Sequence, residues 1–192
     1  MCNLYGHKVS RAEYLFHFRS ADEWRRELEK DYTSPGREGW TVRMHNGQRT
    51  MTAMKWGFPP PPNIKGPVVN VRNYDSPFWR PTLANSEHRC LVPVTQFQEW
   101  SAKPDPQTGK KRAYWLHLPS QPVFAFAGIW QPDTQGDVFA FLTCEPNPLV
   151  GAIHPKAMPV ILQPEDHQDW LDGADARKLA QPIPSQLMAI VD

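Results

Sequence analysis

Proline restricts this chain more than any other residue. It occurs 21 times in 192 residues, and each copy fixes φ and removes a backbone donor. Helix interiors and central strands tolerate neither, so long unbroken elements are disfavoured and short strands joined by stiff loops are expected. Between the prolines the chain is apolar enough, at 40% hydrophobic residues, to pack as a globule. Its length predicts one domain over 1–192 with a sizeable core.

The stretches between breakers read mostly as strands. "WTVRMHNGQRTMTAMKWGF" is a hairpin around Asn46-Gly47, a dipeptide suited to the two left-handed positions of a tight turn. "PPPPN" follows as a stiff extended loop. "PVVNVRNY", "HRCLVPVTQFQEW", "AYWLHL", "VFAFAGIW", "DVFAFLTC" and "AMPVILQ" are further strands, and "KPDPQTGKKR" is a polar loop. "SADEWRRELEKDY" predicts the clearest helix, with Ser20 and Glu23 as a capping box and Trp24, Leu28 and Tyr32 on one face. "PEDHQDWLDG" predicts a short helix ended by Gly173, and "ADARKLA" one more turn or two. Strands that do not alternate with helices argue for an α+β fold, built on an antiparallel, barrel-like sheet with a few flanking helices.

Charge and cysteine content narrow the function classes. The formal net charge is +1, so a polyanion would have to be held by a local patch and not by the whole surface. Cys2, Cys90 and Cys144 are odd in number and far apart, which suits a reducing cytoplasm better than a disulfide framework. Cys90 and Cys144 adjoin apolar runs and read as small core residues. No apolar run approaches the ~18–20 residues of a membrane span, and the start lacks the continuous apolar stretch of a secretory signal. A cytoplasmic protein without membrane contact is expected, a monomer by default. The sequence contains no Gly-rich phosphate loop, and its cysteines and histidines are not paired as structural zinc requires, so neither a cofactor nor a metal is expected.

Four stretches could carry chemistry. Loss of Met1 from "MCNLY" would leave Cys2 with an amine and a thiol on one residue. An α-amine has a pKa of about 7.7–8.0, against about 10.4 for lysine, so it is a neutral nucleophile far more often at neutral pH. The thiol can then close a five-membered ring onto an aldehyde that the amine captures. In "VVNVRN", Asn70 and Arg72 are two apart and share a strand face. In "FQEW", Glu99 stands between Phe97 and Trp100, where an apolar setting raises a carboxyl's pKa towards neutrality. In "AIHPKAMPVIL", His154 sits in a proline-flanked loop and could shuttle protons. Aromatics mixed with cations, namely Lys55 and Trp56 in "MKWGF" and Arg72, Tyr74, Trp79 and Arg80 in "VRNYDSPFWR", could form a nucleic-acid surface. Taken singly, each of these residues reads more simply as structure: a core aromatic, a solvated polar pair, a capping carboxylate.

In order, however, the blocks Met-Cys, "KWGF", "VNVR", "RCLVPVTQFQEW", "FAGIW", "LTCEPN" and "IHPKAMPVIL" cover residue 1 to about residue 162 and resemble the SRAP family. These are the SOS-response-associated peptidase domain proteins that process abasic sites in DNA. The resemblance implies a β-barrel-like α+β domain with a basic cleft, whose partner is single-stranded DNA holding an abasic site. Carried over by motif, it implies Cys2 as nucleophile after autoproteolytic loss of Met1, Asn70 as holder of the opened sugar and Glu99 as general acid and base. His154 would assist proton transfer, Arg72 would touch the DNA backbone, and Trp56 would wedge or stack against bases. The implied product is a thiazolidine cross-link, with weak lyase activity through the preceding Schiff base. The chain departs from the common pattern at Asn3-Leu4, where Gly-Arg is usual, at Asn73-Tyr74 and at Gln96. Two other classes compete: an N-terminal-nucleophile cysteine peptidase acting on protein, and a non-catalytic single-strand binding module.

Overall fold

The computed structural model describes residues 2–24 and 27–191. The elements run β1 (Tyr5–Gly6), α1 (Arg11–Phe18), β2 (Ala21–Asp22), β3 (Tyr32–Thr33), β4 (Glu38–His45), β5 (Gln48–Trp56), β6 (Asn70–Val71) and α2 (Arg80–Ala84). They continue as β7 (Arg89–Val94), β8 (Gln96–Trp100), β9 (Ala113–His117), β10 (Phe124–Gln131), β11 (Val138–Cys144), α3 (Pro148–Ile153), β12 (Met158–Pro159), β13 (Ile161–Leu162), α4 (Asp166–Leu171), α5 (Ala176–Leu179) and β14 (Ala189–Ile190). The fold is α+β, as the alternation of short strands and breakers predicts.

The larger sheet runs β12-β11-β10-β7-β4-β5-β2 and closes on itself, because β5 also pairs with β11. The pairings within this ring are antiparallel except that closing one, which is parallel, with Lys55 beside Val138 and Trp56 beside Phe139. The barrel-like expectation holds, and its all-antiparallel form is corrected at that seam. The smaller sheet runs β14-β9-β8-β1-β3. Aromatic residues join it to the ring: Tyr5 of β1 meets Trp56, Phe126 and Phe141 edge-on, and Phe97 of β8 meets Phe126 at 5.8 Å between centroids. Gly39 in β4 makes this possible, since a Cβ there would strike the Tyr5 hydroxyl.

The hairpin forms as the sequence predicts. His45 faces Gln48 across Asn46 and Gly47, whose φ values of 49° and 78° are those of a tight two-residue turn. The helix expected over 20–32 is a correction. Ala21 and Asp22 pair in parallel with Thr50 and Met51 of β5, while Tyr32 and Thr33 pair with β1. Asp22 accepts from Arg11 at 2.7 Å, and Glu23 lies within ion-pair range of Arg43 and His45. Tertiary partners therefore override the local pattern; Arg25 and Arg26 of that stretch lie outside the described residues. The helix forms one segment earlier. Ser10 and Glu13 make a complete capping box, Tyr14 and Phe18 form its buried face, and Arg19 ends it in the left-handed region at φ 49°.

Two expected strands are each divided. "HRCLVPVTQFQEW" breaks at Thr95, whose hydroxyl donates to the Gly6 carbonyl, and the halves join different sheets. "AMPVILQ" breaks at Val160 into β12 on β11 and β13 on β10. Among the described residues no helix is long and apolar enough to cross a membrane.

Candidate active site

Cys2 enters the molecule just before β1. The strand is anchored to β8 by pairing of Tyr5 with Phe97 and by donation from the Gln98 amide to the Leu4 carbonyl at 2.9 Å. This carries Cys2 to a position where it is only 1% exposed. Its Sγ donates weakly to the Leu4 carbonyl at 3.4 Å. Burial, and next the nearby Glu99 charge, push the thiol well above its ordinary range. The sulfur is therefore held as a protonated thiol, and any reaction at it must remove that proton.

Asn70 reaches the same place from the other sheet. It lies in β6, paired beside Phe141 of β11, and its Nδ2 donates to the Cys2 carbonyl at 3.0 Å. Its Oδ1 is buried with no partner among the described residues. A buried amide oxygen without a donor costs about 1–3 kcal/mol, so this atom is equipped to accept from a ligand's hydroxyl or amine.

Glu99 is buried in β8, directly opposite Tyr114 of β9. Burial pushes its carboxyl up to about 7. At neutral pH it is divided between acid and carboxylate, which suits a group that first gives a proton and then takes one. His154 caps α3, its amide donating to the Val150 carbonyl at 2.7 Å. Its imidazole is close enough to the backbone of Trp100, the neighbour of Glu99, for that backbone to favour its protonated form. Partial burial, together with the charges of Lys156 and Lys111, lowers its pKa and keeps the ring neutral. The structure thus gathers Cys2, Asn70, Glu99 and His154 where the two sheets and α3 meet, although they lie far apart in the chain.

The expected nucleic-acid residues divide. Trp56 is wholly buried: its Nε1 donates to the Val69 carbonyl at 3.0 Å, and its ring stacks on Phe141 at 5.0 Å. Trp79 is 5% exposed and packs edge-on against Phe58 and Phe78. Both are corrections, because neither ring offers a face to a base. Tyr74 is half-buried, its hydroxyl donating to the Thr143 carbonyl at 2.8 Å. Lys55 is half-buried with Nζ 3.4 Å from Gln135 Oε1. Arg72 is exposed at the rim, paired with Glu145 at 2.8 Å and donating to the Lys156 carbonyl. That ion pair would have to open for Arg72 to meet a phosphate.

Sequence reasoning missed two features of the rim. Trp100 is 41% exposed, an aromatic ring at the surface next to Glu99 in the chain. Lys111 and Lys156 are close enough to lower the His154 pKa. The signal for the first was its place after Glu99, and for the second the Lys-Lys-Arg run at 110–112. Among the described residues no group of three or more His, Cys, Asp or Glu side chains could hold a metal ion.

A family model described as SOS response associated peptidase (SRAP) matches residues 1–192. No curated protein matches the chain in sequence. Among solved structures, the fold is similar to a Bordetella bronchiseptica protein (TM-score 0.79, 21% identity, 100% of both chains covered). It is also similar to a Bacteroides thetaiotaomicron protein (TM-score 0.81, 18% identity, 100% of this chain and 92% of that one). A phage-related protein from B. bronchiseptica aligns at TM-score 0.72 with 20% identity, over 99% and 93% of the chains. At these identities the likeness is one of fold.

Proposed function

The chain belongs to the SOS response associated peptidase (SRAP) family, and from that premise we propose that it captures abasic sites in single-stranded DNA as a covalent cross-link through Cys2. The observation that carries the reading is the convergence on Cys2: Asn70 holds its carbonyl, and Glu99 is close enough to perturb its thiol. The ring-opened abasic sugar is an aldehyde. Once Met1 is removed, the Cys2 amine adds to C1′ to give a carbinolamine. Glu99, in its acid form, protonates the departing hydroxyl, and water leaves an imine. The Glu99 carboxylate then takes the thiol proton as Sγ bonds to C1′, and the nitrogen recovers a proton. The product is a thiazolidine, formed with the net loss of one water. Asn70 Oδ1 accepts from a sugar hydroxyl, and neutral His154 relays protons during ring opening.

The same groups would release Met1, since a thiol beside a base is the usual equipment for cleaving an adjacent amide. The family's description as peptidases supports this as a self-processing step. Two assays test the reading. Processed protein, incubated with a single-stranded oligonucleotide bearing one abasic site, should give a slow, heat-stable band on a denaturing gel. The band should need both the lesion and Cys2. A Cys2→Ala variant that still gives the band would refute the assignment of the nucleophile. No band at all from processed wild-type protein would refute abasic-site capture.

A further inference from the structure

The face of β8 and β9 that carries Glu99 continues outward. Directly opposed residues of an antiparallel pair share a face, so Tyr114 lies on the Glu99 side. One step further out, Ser101 and Arg112 are bound to each other in both directions: the Ser101 amide donates to the Arg112 carbonyl at 2.8 Å, and the Arg112 amide to Ser101 Oγ at 3.0 Å. Arg112 lies over the Tyr114 ring at 4.9 Å. Beside this ladder is an open groove of about 540 Å³, lined by Lys103, Tyr114, Leu149, Ala152, Ile153 and Ile190. It abuts the catalytic cluster, since the Ala102 amide donates at 2.8 Å to the carbonyl of Ile153, the residue before His154.

The loop beside the groove is braced by its own hydrogen bonds and is cationic. Asp105 Oδ1 accepts from the amides of Gln107 and Thr108 at 2.8 and 3.0 Å, and the Asp105 amide donates to the Lys110 carbonyl. Residues 101–112 hold four cations, Lys103, Lys110, Lys111 and Arg112, against that one carboxylate. The Asp105 carboxylate is engaged by the loop's own amides. Among the described residues no carboxylate pairs with any of the four cations, whereas Arg11, Arg37, Arg43, Arg72 and Arg177 are all ion-paired. An apolar groove with a tyrosine wall beside four cations, none within ion-pair distance of a carboxylate among the described residues and only Arg112 influenced by Asp105, matches the chemistry of a base with its phosphates.

We propose that this groove is a second nucleic-acid subsite, in which Tyr114 supports a base flanking the lesion and the four cations hold the adjoining phosphates. The proposal rests on the abasic-site reading, because the groove extends from its reacting centre. A non-reactive tetrahydrofuran abasic analogue allows equilibrium binding to be read by fluorescence anisotropy across a salt series. Three single-stranded probes are compared, with nucleotides on both sides of the analogue, on the 5′ side only, or on the 3′ side only. One flank should add affinity to wild-type protein and the other should not. The triple variant Lys110→Gln, Lys111→Gln, Arg112→Gln should lose that gain and flatten the log–log salt slope by about 2, at about 0.7 per phosphate contact. Tyr114→Leu should weaken the same probe about tenfold and leave the slope unchanged. Variants that bind all three probes as wild type does, or that lose both flanks equally, would overturn the subsite alone. Wild-type protein that binds none of the probes would overturn the abasic-site reading with it.

Discussion

At Glu99 stability opposes the chemistry proposed for it. Its folded pKa of about 7 lies above the ordinary carboxyl value of 4.5, so the folded state binds the proton more tightly than the unfolded chain does. The stabilisation from its neutral form is complete below about pH 4.5 and is lost as pH rises through 7. The shift corresponds to about 3 kcal/mol. Glutamine cannot ionise, so Glu99→Gln should match wild type near pH 4.5 and exceed it at pH 8 by up to about 3 kcal/mol in urea unfolding. Cross-linking by this variant should fall by about 10²–10⁴-fold, the usual contribution of a positioned acid–base group. In wild type the rate should rise as the Cys2 amine, with a pKa of about 8, loses its proton, and fall as Glu99 loses its own. The resulting bell shape should lose its Glu99 limb in the variant. A variant less stable than wild type at pH 8 would show that the carboxylate is compensated within the fold.

At the scale of elements, legibility depended on whether the deciding partner was local. Asn46-Gly47 specifies its turn from two residues alone, and the hairpin was legible. Two capping-box patterns ten residues apart, Ser10 with Glu13 and Ser20 with Glu23, look equivalent in sequence. Among the described residues, the first has fully buried side chains, Tyr14 and Phe18, whereas Trp24 and Leu28 of the second are only partly buried and its acids are drawn off by Arg11, Arg43 and His45. The candidate residues Cys2, Asn70, Glu99 and His154 stood out only through the order of the blocks that hold them, because each alone reads as structure. The burial of Trp56 and Trp79 was not legible, since an aromatic beside a cation reads the same whether it faces solvent or core. Their burial makes a prediction: Trp56→Ala should destabilise the protein by about 3–5 kcal/mol in urea unfolding, the cost of a large core truncation. A surface stacking residue would leave stability unchanged and change only DNA affinity.

Across the whole molecule, two buried histidines resist protonation and should shape the acid limb of stability. Burial lowers both His7, which meets Thr33 at 2.6 Å, and His167, which stacks on Phe18, to about 4. Each folded pKa is below the unfolded value of 6.5, so the neutral rings favour folding above pH 6.5, and that contribution is lost as pH falls through 4. At roughly 3 kcal/mol each, the two together reach the scale of a domain's net stability of about 5–15 kcal/mol. Stability should therefore fall steeply from pH 6.5 to 4, against the smaller opposing contribution of Glu99. His7→Gln with His167→Gln should flatten this limb in urea titrations at fixed pH. An unchanged limb would assign acid unfolding to other groups.

The most direct test of Cys2 as an amine and a thiol acting on one aldehyde is the intact mass of the conjugate. Processed protein with an abasic oligonucleotide, without added reductant, should give the sum of the two masses less one water, and the species should survive heating. Cys2→Ser should give a conjugate that persists only after borohydride reduction of the imine. A wild-type conjugate that itself requires reduction, or whose mass retains the water, would contradict ring closure by the thiol.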